Sequence, residues 1–525
     1  MEDDEYMAEQ RRIQEEALNR ESSNMASLLD ELDRQAASQS AVQLEEVSSN
    51  ASQEERERIN KINELLIRGE ELLRNEQYEE AIDTFEEVLK LDPDTGIAYA
   101  YIGESLYLED PDNNVNIESA IYNSNKAIEK DPDLYLPHQI LGQIYEDKNN
   151  WDNAIDEYSE AARLKPDSYY LLYVLGKVQY NARRYSDARQ SFESSIHLKD
   201  DYYASHYRLG KTLQMLNENN EAINAFLESV EIKTDNSPGY YEIAEIYASR
   251  GDYYTAESYY KNAVENSPQT AVYLRKLGST LLILGKYSEA EGYYKSALQL
   301  DPDNSTTQYN MSQVYVKQGK YSEALLYAQK AVELKSTTAL FHFQVGLINE
   351  KLGNTDNAIQ SYEKAIELDN NYTSAYTNLG ALYNSKGLYD NALPYLLTAY
   401  RLNPNSYEVN NNLGNAYSNK GLYEDSIRYY VNAISLEGQD NSNARYNLGL
   451  AYLEAGLDPD AKRAFSELIQ LMPSFWNAYY QLGLLLIKEN DKENAIIILE
   501  TLLSKNSNYS KRDEVESLLE MLNSN

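Results

Sequence analysis

Residues 377–392 read TNLGALYNSKGLYDNA, and residues 411–426 read NNLGNAYSNKGLYEDS. The two stretches begin 34 residues apart and share a skeleton: Asn-Leu-Gly, then Tyr, then Lys-Gly-Leu-Tyr. A period of this length marks a repeat architecture, in which each unit buries its apolar face only against its neighbours. Steps of 34 from Gly380 reach Gly346, Ser312, Gly278, Ala244, Gly210, Gly176 and Gly142, and a step of 39 reaches Gly103. Gly69 lies 34 residues before that, and Gly414, Gly449 and Gly483 follow at the other end. Thirteen units result, starting near residues 62, 96, 135, 169, 203, 237, 271, 305, 339, 373, 407, 442 and 476.

Counting each start as position 1, the small residue just described is position 8. A second small residue falls at position 20, as in Ala188, Ala222, Ala290, Ala392 and Ser426, and a bulky one at position 24, as in Phe192, Phe226, Tyr294, Tyr362 and Tyr430. Pro93, Pro132, Pro166, Pro268, Pro302, Pro404 and Pro473 close seven units. Apolar or small residues at positions 4, 7, 8 and 11, and again at 20, 24 and 27, have helical spacing. The spacing predicts two helices of about a dozen residues per unit, their backbones brought close by the small residues at 8 and 20. Gly251, Gly285, Gly319, Gly353, Gly387, Gly421 and Gly456 all occupy position 15, between the helices, with Asn149, Asn217 and Asn490 in other units. That is where a helix end takes a left-handed residue, so these glycines are punctuation rather than phosphate loops.

This pattern resembles the tetratricopeptide repeat (Leu-Gly, Tyr, Ala, an aromatic, Ala and Pro at set offsets over 34 residues) across residues 62–509. The resemblance implies an all-α fold: a right-handed α-solenoid superhelix of about thirteen stacked helix-turn-helix units. First helices would line a concave groove, with second helices outside. Departures are local: position 4, often Trp in the family, is Tyr, Leu, Gln, His or Arg here, and Arg68 stands where Leu is usual. Residues 61–509 therefore read as the repeat array. Residues 510–525 read as a C-terminal capping helix, with Val515, Leu518, Leu519 and Leu522 on one stripe and Ser510 and Asp513 as a capping box. Residues 1–60 hold no Gly or Pro, sixteen acidic and six basic residues, a composition favouring disorder or marginal helix. Leu18, Met25 and Leu32 lie seven apart, which leaves a docking or coiled-coil helix, and oligomerisation through it, as the alternative to a solvated tail.

Composition narrows the function. The balance of 85 acidic against 47 basic residues, net −38, repels phosphate backbones, so nucleic acid is a poor partner and neutral or basic protein segments are better ones. There is no cysteine, which excludes disulfides, thiolate catalysis and cysteine-based zinc sites. The acidic start MEDDEYMAEQ lacks a signal peptide's basic flank, and no apolar run is long enough for membrane insertion, so a cytoplasmic protein is expected. His138, His206 and His342 share position 4 in separate units and read as packing residues, not metal ligands. The insertion EDPDNNVNIE at 109–118 has Val115 where a calcium loop needs Gly and reads as a plain loop. With no phosphate loop or nucleophile motif, neither an enzyme nor a cofactor is expected.

Binding candidates come from first-helix positions about 100° off the packing stripe. Position 6 reads Asn310, Gln344, Asn378, Asn412, Asn447 and Gln481 through the last six units. A carboxamide donates and accepts at once, so such a column can pair with an extended peptide backbone of any sequence. The column resembles the asparagine ladder in the repeat superhelix of O-linked N-acetylglucosamine transferase, without that enzyme's catalytic domain. Position 5 carries Tyr173, Tyr207, Tyr241, Tyr309, Phe343, Tyr446 and Tyr480, either interface anchors or packing residues. The residues by which some family members clamp the carboxylate tail of chaperones are not assembled in any three consecutive units. These observations point to a non-enzymatic scaffold or adaptor that binds extended polypeptide, favouring the C-terminal half. The alternatives are a self-assembling structural component and a regulatory subunit of a separately encoded enzyme.

Overall fold

The computed structural model describes residues 52–436 and 441–524. The heptad of Leu18, Met25 and Leu32, and the oligomerisation expected of it, lie outside the described residues.

The unit at 407 shows how a repeat forms. Ser406 caps the first helix, its side chain accepting from the Val409 N–H at 3.3 Å, and the helix runs Tyr407–Asn419. It ends in a Schellman motif: Gly421 N–H donates to Ser418 O and Leu422 N–H to Tyr417 O, each at 2.9 Å, with Gly421 at φ 75°. The chain reverses into the second helix, Tyr423–Ser435, which buries Ser426, Tyr430 and Ala433 against Leu413, Gly414 and Ala416.

Pairs of this kind repeat along the chain, and among the described residues all regular structure is helical. The helices group into two compact units, one ending at Pro302 and the other beginning at Asp303. The first holds seven helix pairs, from Gln53–Arg74 with Tyr78–Leu91 to Ala271–Ile283 with Tyr287–Leu300. The second holds six, from Ser305–Lys317 with Tyr321–Leu334 to Trp476–Lys488 with Lys492–Lys505, followed by the single helix Arg512–Ser524.

Position 15 is left-handed in twelve of the thirteen repeats, including Glu76 at φ 59° and Arg183 at φ 61°, where no Gly or Asn announces it. The small residue at position 8 brings the backbones close as expected, a Cβ on Gly103 lying 3.1 Å from Ala120 O, and it has a second purpose. It also admits the side chain at position 24: a Cβ on Gly210 would lie 2.6 Å from the Phe226 ring, and one on Gly414 would lie 2.6 Å from Tyr430. In the repeat at 305 both are small, Ser312 standing with Ala328.

Three boundaries move. The first helix begins at Gln53, capped by Ser52 accepting from Glu55 N–H at 3.2 Å, so a boundary at residue 60 falls inside it. The insertion after Gly103 extends the second helix to Asn114–Lys130 and leaves only residues 110–113 as connection, because Asn113 caps Val115 N–H at 3.0 Å. The last helix starts at Arg512 after a turn, so Ser510 forms no capping box, although Val515 and Leu522 are buried as the stripe implied.

Candidate functional site

The position-5 rings are core. Tyr173, Tyr207, Tyr241, Tyr309, Phe343 and Tyr480 are 0–7% exposed, and Tyr446 is half-buried. Each packs on rings of its own repeat or the next. Tyr207 lies 5.6 Å from Phe226, Phe343 lies 5.6 Å from Tyr362 and 5.0 Å from Tyr372, and Tyr446 lies 5.9 Å from Phe465. The expectation that this column presents anchors to a partner is corrected by that burial: offset and tilted ring pairs hold the helix pairs together here.

The carboxamide column sits differently. Asn310 and Gln344 are buried, while Asn378, Asn412, Asn447 and Gln481 are half-buried. It follows the seam between one repeat and the next. Asn378 hydrogen-bonds the Tyr362 side chain of the preceding repeat. Asn447 Nδ2 donates to Asn415 Oδ1 at 3.2 Å, and the Tyr430 hydroxyl donates to the same oxygen at 2.6 Å. Asn384 Nδ2 donates to the backbone oxygen of Asn412 at 2.9 Å. The side chains of Asn412 and Gln481 bond no described residue. Position 6 alone was legible as a column; positions 9 and 12, which supply Asn415 and Asn384, join it only once the repeats stack.

In the first compact unit the same seam is ionic. Lys177 pairs with Glu146 at 3.1 Å, Lys211 with Glu242 at 2.7 Å, and Lys276 with Glu245 at 2.8 Å. Burial acts to lower the Lys211 pKa, but the Glu242 carboxylate overrides it and holds the ammonium well above its usual range. Near the start of that unit the carboxyl group of Glu104 lacks such balance. Glu70 pairs with Arg74 at 2.7 Å, while burial and the neighbouring Glu70 push Glu104 up to about 7. The histidines at position 4 are hydrogen-bonded within the fold: His138 to Glu157 at 2.7 Å, His206 to Asp200 O at 2.8 Å and His342 to Ser336 O at 3.0 Å. None of the described helices is long and apolar enough to cross a membrane.

Stacked two-helix repeats with a left-handed turn, a small residue at 8 facing a ring at 24 and buried alanines at 20 define a repeat solenoid. Family comparison matches tetratricopeptide repeats at residues 68–112, 142–182, 173–240, 238–303, 281–339, 349–387, 373–406, 411–461 and 446–510. The chain belongs to the tetratricopeptide repeat family. Such repeats are typically non-catalytic modules that bind protein partners, and the chain is a protein-interaction scaffold of that kind.

No curated protein matches the chain. Among solved structures it is similar to YrrB, described as a TPR protein with an unusual peptide-binding site, at 26% identity over 36% of this chain and 96% of that one, TM-score 0.32. It is also similar to the APC/C hetero-tetramer Cut9–Hcn1, at 16% identity over 88% of this chain and 96% of that one, TM-score 0.37. A third is the C-terminal part of a TPR repeat-containing protein from Cytophaga hutchinsonii, at 18% identity over 45% of this chain and 96% of that one, TM-score 0.39.

Proposed function

We propose that this protein is an adaptor that binds extended polypeptide along the first helices of its second compact unit, Asp303 onward. The observation that carries the reading is the change in seam chemistry. Three ion pairs cross the seam of the first unit, whereas position 6 of the second unit is carboxamide in all six repeats, with the side chains of Asn412 and Gln481 unspent. A desolvated ion pair resists being broken by a partner. A free carboxamide offers one acceptor and two donors to a passing backbone without a charge penalty. The net charge of −38 favours neutral or basic segments as ligands.

The test is fluorescence anisotropy of the full chain with a fluorescent pool of unstructured nonapeptides. Asn412→Ala with Gln481→Ala removes carboxamides that bond nothing described in the fold, so melting should be unchanged. Pool affinity should fall about tenfold, the loss of one or two backbone hydrogen bonds. A double variant that binds the pool as tightly as wild type sinks the reading.

A further inference from the structure

Positive charge on the first helices is confined to one stretch of the first compact unit. Positions 5, 6 and 9 supply thirty-nine residues over the thirteen repeats, and the five cations among them fall in three repeats. They are Lys177 in the repeat at 169, Arg208 and Lys211 in that at 203, and Arg275 and Lys276 in that at 271. Lys177, Arg208, Lys211 and Lys276 are half-buried, and Arg275 is buried. The fold answers them with four carboxylates: Glu146 at 3.1 Å from Lys177, Glu242 at 2.7 Å from Lys211, Glu245 at 2.8 Å from Lys276 and Asp301 at 3.6 Å from Arg275. Five cations against four carboxylates leave this face net positive, in a chain whose net charge is −38. An ammonium has three N–H donors, and Lys211 and Lys276 each give one to their carboxylate. Charge and donors are both in excess here, which suits an incoming carboxylate.

We propose that this face docks residues 15–33 of the same chain, EEALNRESSNMASLLDELD, a segment outside the described residues. It carries six carboxylates, Glu15, Glu16, Glu21, Asp30, Glu31 and Asp33, against the single cation Arg20. Reach and concentration favour it over a separate acidic protein. Residues 34–52 join it to the helix that begins at Gln53, in the same compact unit as the cations, and nineteen residues span up to about 65 Å. First helices of consecutive repeats lie about 10 Å apart, so the repeats at 169 and 271 stand about 30 and 60 Å along the stack from that at 62. A tether of this kind holds the segment at an effective concentration of up to about 1 mM, far above a free partner of equal affinity at micromolar level. The second unit takes no part in this docking, which stands or falls separately from peptide binding there. An acidic partner reaches the face only by displacing the chain's own segment.

Two measurements on the full chain test this. Zero-length carbodiimide coupling joins a carboxylate only to an amine in contact with it. Within single chains, carboxylates of residues 15–33 should couple to Lys177, Lys211 and Lys276, and the yield should collapse at 1 M salt, where the Debye length is about 3 Å. The second measurement is anisotropy of a fluorescent peptide of residues 15–33. It should bind about tenfold more tightly to a full-length variant combining Glu15→Gln, Glu16→Gln, Glu21→Gln, Asp30→Asn, Glu31→Gln and Asp33→Asn than to wild type, because the tethered competitor is gone. Adding Arg208→Gln and Arg275→Gln to that variant should return binding to the weak level, with thermal melting checking that the array is still folded. Equal affinity in wild type and the six-fold variant overturns the docking, as does coupling spread evenly over the exposed lysines of both units. Coupling only between chains assigns the face to a second copy and overturns it too. A peptide that binds neither protein does the same.

Discussion

Glu104 shows how one half-buried, desolvated side chain sets a pH dependence. Desolvation and the Glu70 carboxylate raise its pKa from the usual 4.5 to about 7, so the folded state keeps a proton that the unfolded chain has released. Between pH 4.5 and 7 the unfolded state is increasingly favoured by ionisation, and above pH 7 the full destabilisation is present. Stability should therefore fall as pH rises through this window. Glu104→Gln should raise the melting temperature at pH 8 and leave it nearly unchanged at pH 4. Melting curves of the two proteins at both pH values check this; an equal shift at pH 4 and pH 8 would show that packing, not ionisation, is responsible. The tyrosines at position 5 carry a second lesson at this scale. Their position on an isolated helix is compatible with exposure, and only the ring at 24 and the ring or helix of the next repeat bury them.

The helix pair is the element that repeats, and its turn is where the backbone is constrained. Arg183 sits at φ 61° because Arg183 N–H donates to Tyr180 O at 2.9 Å and Arg184 N–H to Gln179 O at 2.8 Å, the same closure that Gly421 makes without strain. A side chain in the left-handed region costs about 1–2 kcal/mol, partly offset by the greater freedom of glycine when unfolded. Arg183→Gly should accordingly stabilise the protein by about 0.5–1 kcal/mol. Denaturant titration measures it, and a decrease in stability would mean that the arginine side chain contributes more than its backbone costs. The Gly and Asn turns were readable from residue type, whereas Glu76 and Arg183 adopt the conformation because neighbouring helices leave no other way to close the pair. The pairing of Gly at 8 with a bulky residue at 24 was visible as two columns, but their contact was not, since sixteen residues and a chain reversal separate them.

For the whole chain, stability in a solenoid is a sum over repeats and their nearest neighbours. Leu413 is fully buried among Ala392, Leu396, Ala399, Val409 and Ala416. Leu413→Ala should cost about 2–5 kcal/mol, the transfer of a buried leucine plus the cavity left behind. That loss should stay local. Hydrogen exchange should quicken in helices Tyr389–Leu402 and Tyr407–Asn419 and remain as in wild type at Tyr169–Asn181, in the other compact unit. Uniform acceleration across both would show one cooperative block instead of neighbour-limited coupling.

The period of 34, the small residues at 8 and 20 and the glycines at 15 determined by themselves that this chain folds as paired helices of the tetratricopeptide kind, because helical periodicity and the left-handed turn are local properties of residue type. Which columns face solvent and which are spent inside was decided only by stacking. The rings of Tyr173 and Tyr207 are consumed as core, Asn378 and Asn447 bond across to the preceding repeat, and Asn384, Asn410 and Asn411 keep uncommitted oxygens. The reason is physical: a side chain's partners in a solenoid belong to the next repeat, and burial is a property of the two surfaces together.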